Sequence, residues 1–239
     1  MAFTFGPRFP PFSKNYSVDF TSGYYTMVTG LTQYSDISQD YPFSISFWFK
    51  EQGSDCGIVE YGGGITGLGV GMSIRYLSNL IRVQFNSQGT SSRLTVINNV
   101  TINPIVNNSW NNVVVTYDGS SDANNINIYI NGVLGKTILN NFVSYISFFN
   151  SGANTLLGTS PVYGTPSGGL MDEFSVFNKE LTTLECLEIY NSGVLFDLLT
   201  SSVSNNITEY YRFENNSIDR IKTIQAPING IVTYSNDVP

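Results

Sequence analysis

The strongest constraint on the fold is a stretch that begins at Trp110 and reads WNNVVVTYDGSSDANNINIYING. Val113, Val115 and Tyr117 alternate with Asn112, Val114 and Thr116 before the turn-forming DGSSDANN, and Ile126, Ile128 and Ile130 alternate with Asn127, Tyr129 and Asn131 after it. A period of two on both sides of a turn cluster specifies a β-hairpin. A second stretch, GGLMDEFSVFNKELTTLECLEIYNSG from Gly168 to Gly193, predicts one more strand and then a short helix. Thr182 or Thr183 opens that helix, Glu185 sits in its first turn and Gly193 ends it. Strands with a single late helix predict an all-β sandwich of two antiparallel sheets with one small helical cover.

Candidate strands run from Tyr16 to Phe177, each bounded by Gly, Asn, Ser or Pro clusters. In Phe43 to Lys50, the residues Phe43, Ile45, Phe47 and Phe49 alternate with Ser44, Ser46 and Trp48. The first set faces the core and Trp48 lies on the opposite face. Val133 to Leu139 reads as one strand.

The segments WNNVVVTYDG, IYING, GGLMDEFSVFNKELT and EIYNSG, preceded by SVDFTSGYYTMV from Ser17 and FSISFWFK from Phe43, carry a resemblance. Together they resemble the laminin G-like branch of the concanavalin A-like jelly rolls, over residues 16–195. The resemblance implies a jelly roll over 16–195; before it the prolines predict an extended arm over 1–15, and after it runs a C-terminal extension over 196–239. In the arm, Phe3, Phe5, Phe9 and Phe12 stand among Pro7, Pro10 and Pro11. Such rings bury themselves either on the domain's own sheet or in a neighbouring subunit. In the extension, EYYRFENNSIDR resembles the strand with which laminin G-like domains often begin, here at the other end. It reads as a closing strand of the sandwich, the alternative being a tail that pairs with a partner.

Of the 239 residues only 12% are charged, about half the usual share of about 25%. The formal net charge is −7 with no basic cluster, which argues against nucleic acid and anionic membranes as partners. No apolar run approaches a membrane span, and MAFTFGPRFPPFSK lacks the parts of a signal peptide, so export by a conventional signal is not expected. Asn-x-Ser/Thr triplets at Asn15, Asn99, Asn107, Asn206 and Asn215 follow from composition and are read as unmodified. Cys56 and Cys186 are expected as free buried thiols, one bridge between them being the alternative.

The chain has no histidine, which removes the commonest general base and most zinc sites. Glycan hydrolysis needs two carboxylates on one face, whereas Asp172 and Glu173, being adjacent, are expected on opposite faces of their strand, and Glu60 stands alone. No enzyme activity is expected. The resemblance implies one structural calcium ion, with Asp172 as the carboxylate and backbone oxygens from Thr21, Ser22 and Gly23. The alternative is that Asp172 accepts N–H bonds from that turn. For a sugar, the concave sheet offers Arg75, Arg82 and Gln84, joined by Thr116, Asn127 and Tyr129 from the hairpin. The same residues also suit a solvated sheet face.

The chain is also similar to laminin G-like proteins found among marine phage structural genes. The expectation is therefore a non-enzymatic virion structural protein, a capsid decoration or fibre-associated subunit on the virion surface. Its partners would be other virion proteins in a multi-copy assembly, with the Phe-rich arm as contact, and cell-surface glycans. The alternative is a carbohydrate-binding lectin or adhesin module, extracellular or on a bacterial cell surface.

Overall fold

The computed structural model describes residues 12, 14–27, 39–53, 55–62, 70–87, 92–148, 155–159 and 168–239. Among them the chain forms two antiparallel sheets, with strands numbered here in chain order. The first sheet runs β10 (Val133–Leu134), β9 (Ile126–Ile130), β8 (Asn111–Tyr117), β3 (Phe43–Lys50), β13 (Leu170–Phe177), β1 (Ser17–Asp19) and β16 (Thr233–Ser235). A further strand, β14 (Ile207–Tyr211), also pairs with β13. The second sheet runs β11 (Lys136–Asn141), β7 (Arg93–Asn98), β6 (Leu80–Asn86), β5 (Gly71–Leu77), β4 (Cys56–Gly62), β12 (Thr155–Leu157), β2 (Gly23–Met27) and β15 (Ile228–Gly230). The expected all-β jelly-roll sandwich is borne out.

Alternation places one face of each sheet in a shared interior. Phe43, Phe47, Val113 and Tyr117 from the first sheet meet Ile74, Val83 and Phe85 from the second, all fully buried. The Phe85 ring lies 4.6 Å from that of Phe148 and 5.0 Å, edge-on, from that of Tyr117. Edge-to-face contact of this kind adds about 0.5–1.5 kcal/mol per pair beyond area burial.

The outer face of the first sheet is also buried, because helix α1 (Thr183–Tyr190) and the turns after it lie across it. Thr182 caps the helix, accepting from the Glu185 N–H while Glu185 returns a bond to the Thr182 N–H, and Asn191 closes it at φ 45°. The helix thus ends three residues before Gly193, because Asn191 adopts the left-handed cap. Val114, Tyr129 and Phe177 of the sheet pack against Leu181, Cys186 and Ile189. Trp48 points outward as its alternation requires and is buried there, its ring 6.1 Å from that of Tyr190. Cys56 lies in the inter-sheet core and Cys186 under the helix, so the two thiols are free and on different sides of a sheet. Burial pushes both up to about 12.

The single strand expected over Val133 to Leu139 is broken at Gly135, where the chain leaves the first sheet as β10 and enters the second as β11. A Cβ on Gly135 would stand 2.6 Å from Asn103 Oδ1, so only glycine fits the crossing. The Asn103 amide donates to the carbonyls of Ile128, Val133 and Gly135, adding to the backbone bonds that Ile128 and Gly135 already accept and fixing the crossing. Beyond residue 195 the chain takes part in both sheets: β14 pairs with β13, β15 with β2 and β16 with β1.

Candidate functional site

The ladder between β3 and β13 contains an extra residue. Asp172 is opposite Trp48 and Ser175 opposite Ser46, so three steps of β13 match two of β3. Glu173 absorbs the surplus with φ 50°, a left-handed value outside glycine's usual role, and forms a β-bulge. The consequence corrects the expectation from alternation: Asp172 and Glu173 both lie on the helix-covered face. Glu173 accepts a hydrogen bond from the Tyr210 hydroxyl and lies 3.6 Å from Arg212 Nε, while Asp172 Oδ1 accepts from the Glu173 N–H at 2.8 Å. Both side chains are buried. Burial pushes both carboxyls up, and the Glu173 charge pushes Asp172 up further; the Tyr210 bond and Arg212 partly offset the effect on Glu173. Beside Glu173, Ser46, Trp48, Ile189 and Leu198 enclose a cavity of about 10 Å³, the lower limit for one water. A saccharide ring cannot reach this acid pair.

The calcium ligands expected from the sequence are not brought together. In the β1–β13 register Val18 faces Met171 and Asp19 faces Leu170, so Asp172 falls opposite Ser17. Thr21 is four residues further on, about 13 Å at strand rise. The carboxylate that closes the 21–23 turn is Asp19, which accepts from the Thr21 N–H at 2.8 Å and from its hydroxyl. Among the described residues no three Asp, Glu or Cys side chains gather as a metal site.

The six expected sugar contacts divide between two faces. Arg75, Arg82 and Gln84 lie on the outer face of the second sheet, where both arginines donate to Gln84 Oε1 at 3.3 and 3.0 Å. Arg75 and Gln84 are buried. Thr116, Asn127 and Tyr129 belong to the outer face of the first sheet: the Asn127 amide donates to Thr116 Oγ1 at 3.4 Å, and Tyr129 lies beneath α1 with its hydroxyl 3.1 Å from Thr183 Oγ1. Alternation assigns a residue to one side of its own sheet, but not to a shared surface. Of the arm, Phe3, Phe5 and Phe9 lie outside the described residues, and Phe12 stacks at home, 4.2 Å under the Arg212 guanidinium.

An open cleft of about 340 Å³ lies at one end of the sandwich, assembled from three connections. Glu51, Gly53 and Asp55 come from the β3–β4 link, Tyr76, Ser78 and Asn79 from the β5–β6 hairpin, and Asn107 and Asn108 from the loop before β8. Ser78 and Asn79 have φ 50° and 68°, the pair of left-handed values that a two-residue hairpin needs and that asparagine tolerates. The loop before β8 is held by Asn111, whose amide bridges Val106 and Ser109. Glu51 ties the walls together, accepting from the Asn108 N–H at 2.9 Å and from the Gly53 N–H. Asp55 Oδ1 accepts from the Ser78 N–H at 2.7 Å, and the Tyr76 hydroxyl donates to Asn79 Oδ1 at 2.7 Å. Burial raises the Tyr76 pKa first, and the charges of Glu51, Cys56 and Asp55 add to it.

This architecture is shared with known proteins. The Laminin_G_3 family model, described as the Concanavalin A-like lectin/glucanases superfamily, matches residues 22–186. No curated protein matches in sequence. A protein from Bacteroides ovatus described as a candidate carbohydrate binding protein superposes with TM-score 0.58 at 16% identity, over 94% of this chain and 60% of that one. The chain therefore spans well under the full length of that relative. The CBM40 module of a Ruminococcus gnavus IT-sialidase, bound to α2,3 sialyllactose, gives TM-score 0.53 at 15% identity over 73% of this chain and 96% of the module. The heptameric SAP-like pentraxin of Limulus polyphemus gives 0.51 at 11% identity over 92% and 94%. At such identities the likeness is one of fold. With the family model spanning most of both sheets, the chain belongs to the concanavalin A-like lectin/glucanases superfamily.

Proposed function

We propose that this domain is a non-catalytic carbohydrate-binding module that holds its saccharide in the cleft between Glu51, Tyr76 and Asn108. The observation that carries the reading is the cleft itself: about 340 Å³, open, and lined by amides, carboxylates and a tyrosine hydroxyl. That volume is in the range of small-ligand sites, and a lining rich in acceptors and amides matches the hydroxyls of a sugar. The buried Asp172–Glu173 pair supports a non-catalytic role, since no substrate has access to it. Two of the similar proteins named above carry carbohydrate binding in their descriptions and none is a virion component, so the lectin reading is better supported than the virion one. Glycan binding also fits a place outside or on the surface of a cell.

A glycan array probed with the full chain tests this. Asn79→Gly and Asn108→Gly remove side-chain amides from the cleft while keeping residues that accept φ above zero. Bound saccharides should be retained by the parent and weakened by about ten-fold in each variant, the scale of one lost hydrogen bond. An array on which nothing binds, or variants that bind as the parent does, would overturn the reading.

A further inference from the structure

We infer, on the carbohydrate-binding reading above, that the cleft selects saccharides bearing a free protonated amine over acetylated or acidic ones. Two carboxylates, Glu51 and Asp55, stand in its wall, and among the described residues no lysine or arginine lines it. The nearest lysine in sequence, Lys50, is engaged elsewhere, its Nζ 2.6 Å from Asp237 Oδ2. Glu51 is buried, and each of its oxygens already accepts one backbone N–H, which fixes the carboxylate without neutralising it. Asp55 is exposed; only its Oδ1 is used, and among the described residues Oδ2 has no hydrogen-bond partner.

Both charges also act on the same points: each raises the pKa of the Tyr76 hydroxyl and of the Cys56 thiol next to it, after burial. A concave site with one sign of charge concentrates ligands of the other sign. An ammonium group presents three donors and no acceptor, matching an acceptor-rich wall. Acetylation removes the charge and leaves one N–H. A sugar carboxylate would be placed against Glu51 and Asp55, where like charges discriminate strongly. The CBM40 module that shares this fold binds sialyllactose; this cleft has the charge that disfavours such a ligand.

The test is calorimetric titration of the full chain with glucosamine oligomers, their N-acetylated counterparts and sialyllactose. The free-amine oligomers should bind about ten-fold more tightly than either, and added salt should erode the preference, because exposed charges are screened. Asp55→Asn, which keeps an acceptor for the Ser78 N–H, should bring the amine and acetyl forms to near parity with an unchanged melting curve. If acetylated or sialylated ligands bind as well as the free amine, the selectivity is overturned while the carbohydrate reading stands. If none of the three binds and the glycan array is also blank, both fall together.

Discussion

Glu173 accepts the Tyr210 hydroxyl across the β13–β14 ladder, so the carboxylate displaced by the bulge fastens the strand that the C-terminal segment adds to the sheet. Its pKa is pushed from the ordinary 4.5 up to about 8, chiefly by burial, with Arg212 and the Tyr210 bond opposing and Asp197 and Glu214 adding to it. A carboxyl raised in the folded state binds more protons folded than unfolded between those two values. Stability from this group is therefore full below about pH 4.5 and is lost as pH rises towards about 8. Asp172 shifts in the same direction. Glu173→Gln keeps an acceptor for Tyr210 and cannot ionise. The melting temperature of the parent should fall between about pH 5 and about pH 8, and that of the variant should fall less. Equal slopes by calorimetry would show that Glu173 ionises without penalty.

The segment after residue 195 should be inseparable from the domain. Leu198, Val203, Ile207 and Phe213 are all buried, and Tyr210 and Tyr211 add two more enclosed rings. Burying one such aliphatic or phenyl side chain contributes about 1.5–3 kcal/mol. Four therefore match a whole domain's net stability of about 5–15 kcal/mol. Truncation after Leu195 should give an insoluble or molten product, with far-ultraviolet circular dichroism retained and the near-ultraviolet signal lost. A truncated chain that melts cooperatively would show that these strands are built for a partner instead.

Much of this architecture is legible in the residues, and the illegible part has physical causes. The period-two runs of β3, β8 and β9, the outward Trp48 and the Thr182 cap follow from local pattern alone. The bulge at Glu173 does not, because it requires no glycine and the one-step phase shift it makes, from Met171 to Phe174 and Val176 on the core face, is masked by the apolar Leu170 and Phe177. Sheet membership is equally invisible: Arg82 and Thr116 alternate correctly within their strands, yet pairing across long loops puts them on opposite sides of the molecule. The cleft escaped for the same reason, since residues 51–55, 76–79 and 107–108 converge only after the sheets assemble. The Ser78–Asn79 hairpin was its one local sign.

Calcium can be tested at the residue the resemblance singled out. Because the β1–β13 register holds Asp172 about 13 Å along the strand from Thr21, an ion cannot bridge the carboxylate and the 21–23 turn at the 2.3–2.6 Å that calcium needs. Any calcium-dependent change in melting temperature should therefore be the same in the parent and in Asp172→Asn, measured with and without chelator. A calcium response present in the parent and lost in the variant would restore Asp172 as a ligand.

The residues beneath α1 and those around the cleft should separate stability from binding. Tyr129 is 3% exposed, packs in the cluster with Cys186 and Ile189, and meets Thr183 Oγ1 at 3.1 Å. Truncating a buried aromatic leaves a cavity as well as lost transfer energy, so Tyr129→Ala should cost about 3–5 kcal/mol in denaturant unfolding. Molecules that remain folded should bind the saccharide with the parent's affinity, since the helix stands between Tyr129 and any ligand. Asn108→Gly should give the converse, a melting curve within about 1 kcal/mol of the parent and a weakened complex. If Tyr129→Ala instead abolishes binding in a chain that is still folded, the binding surface lies on the helix-covered sheet and the cleft is not the site.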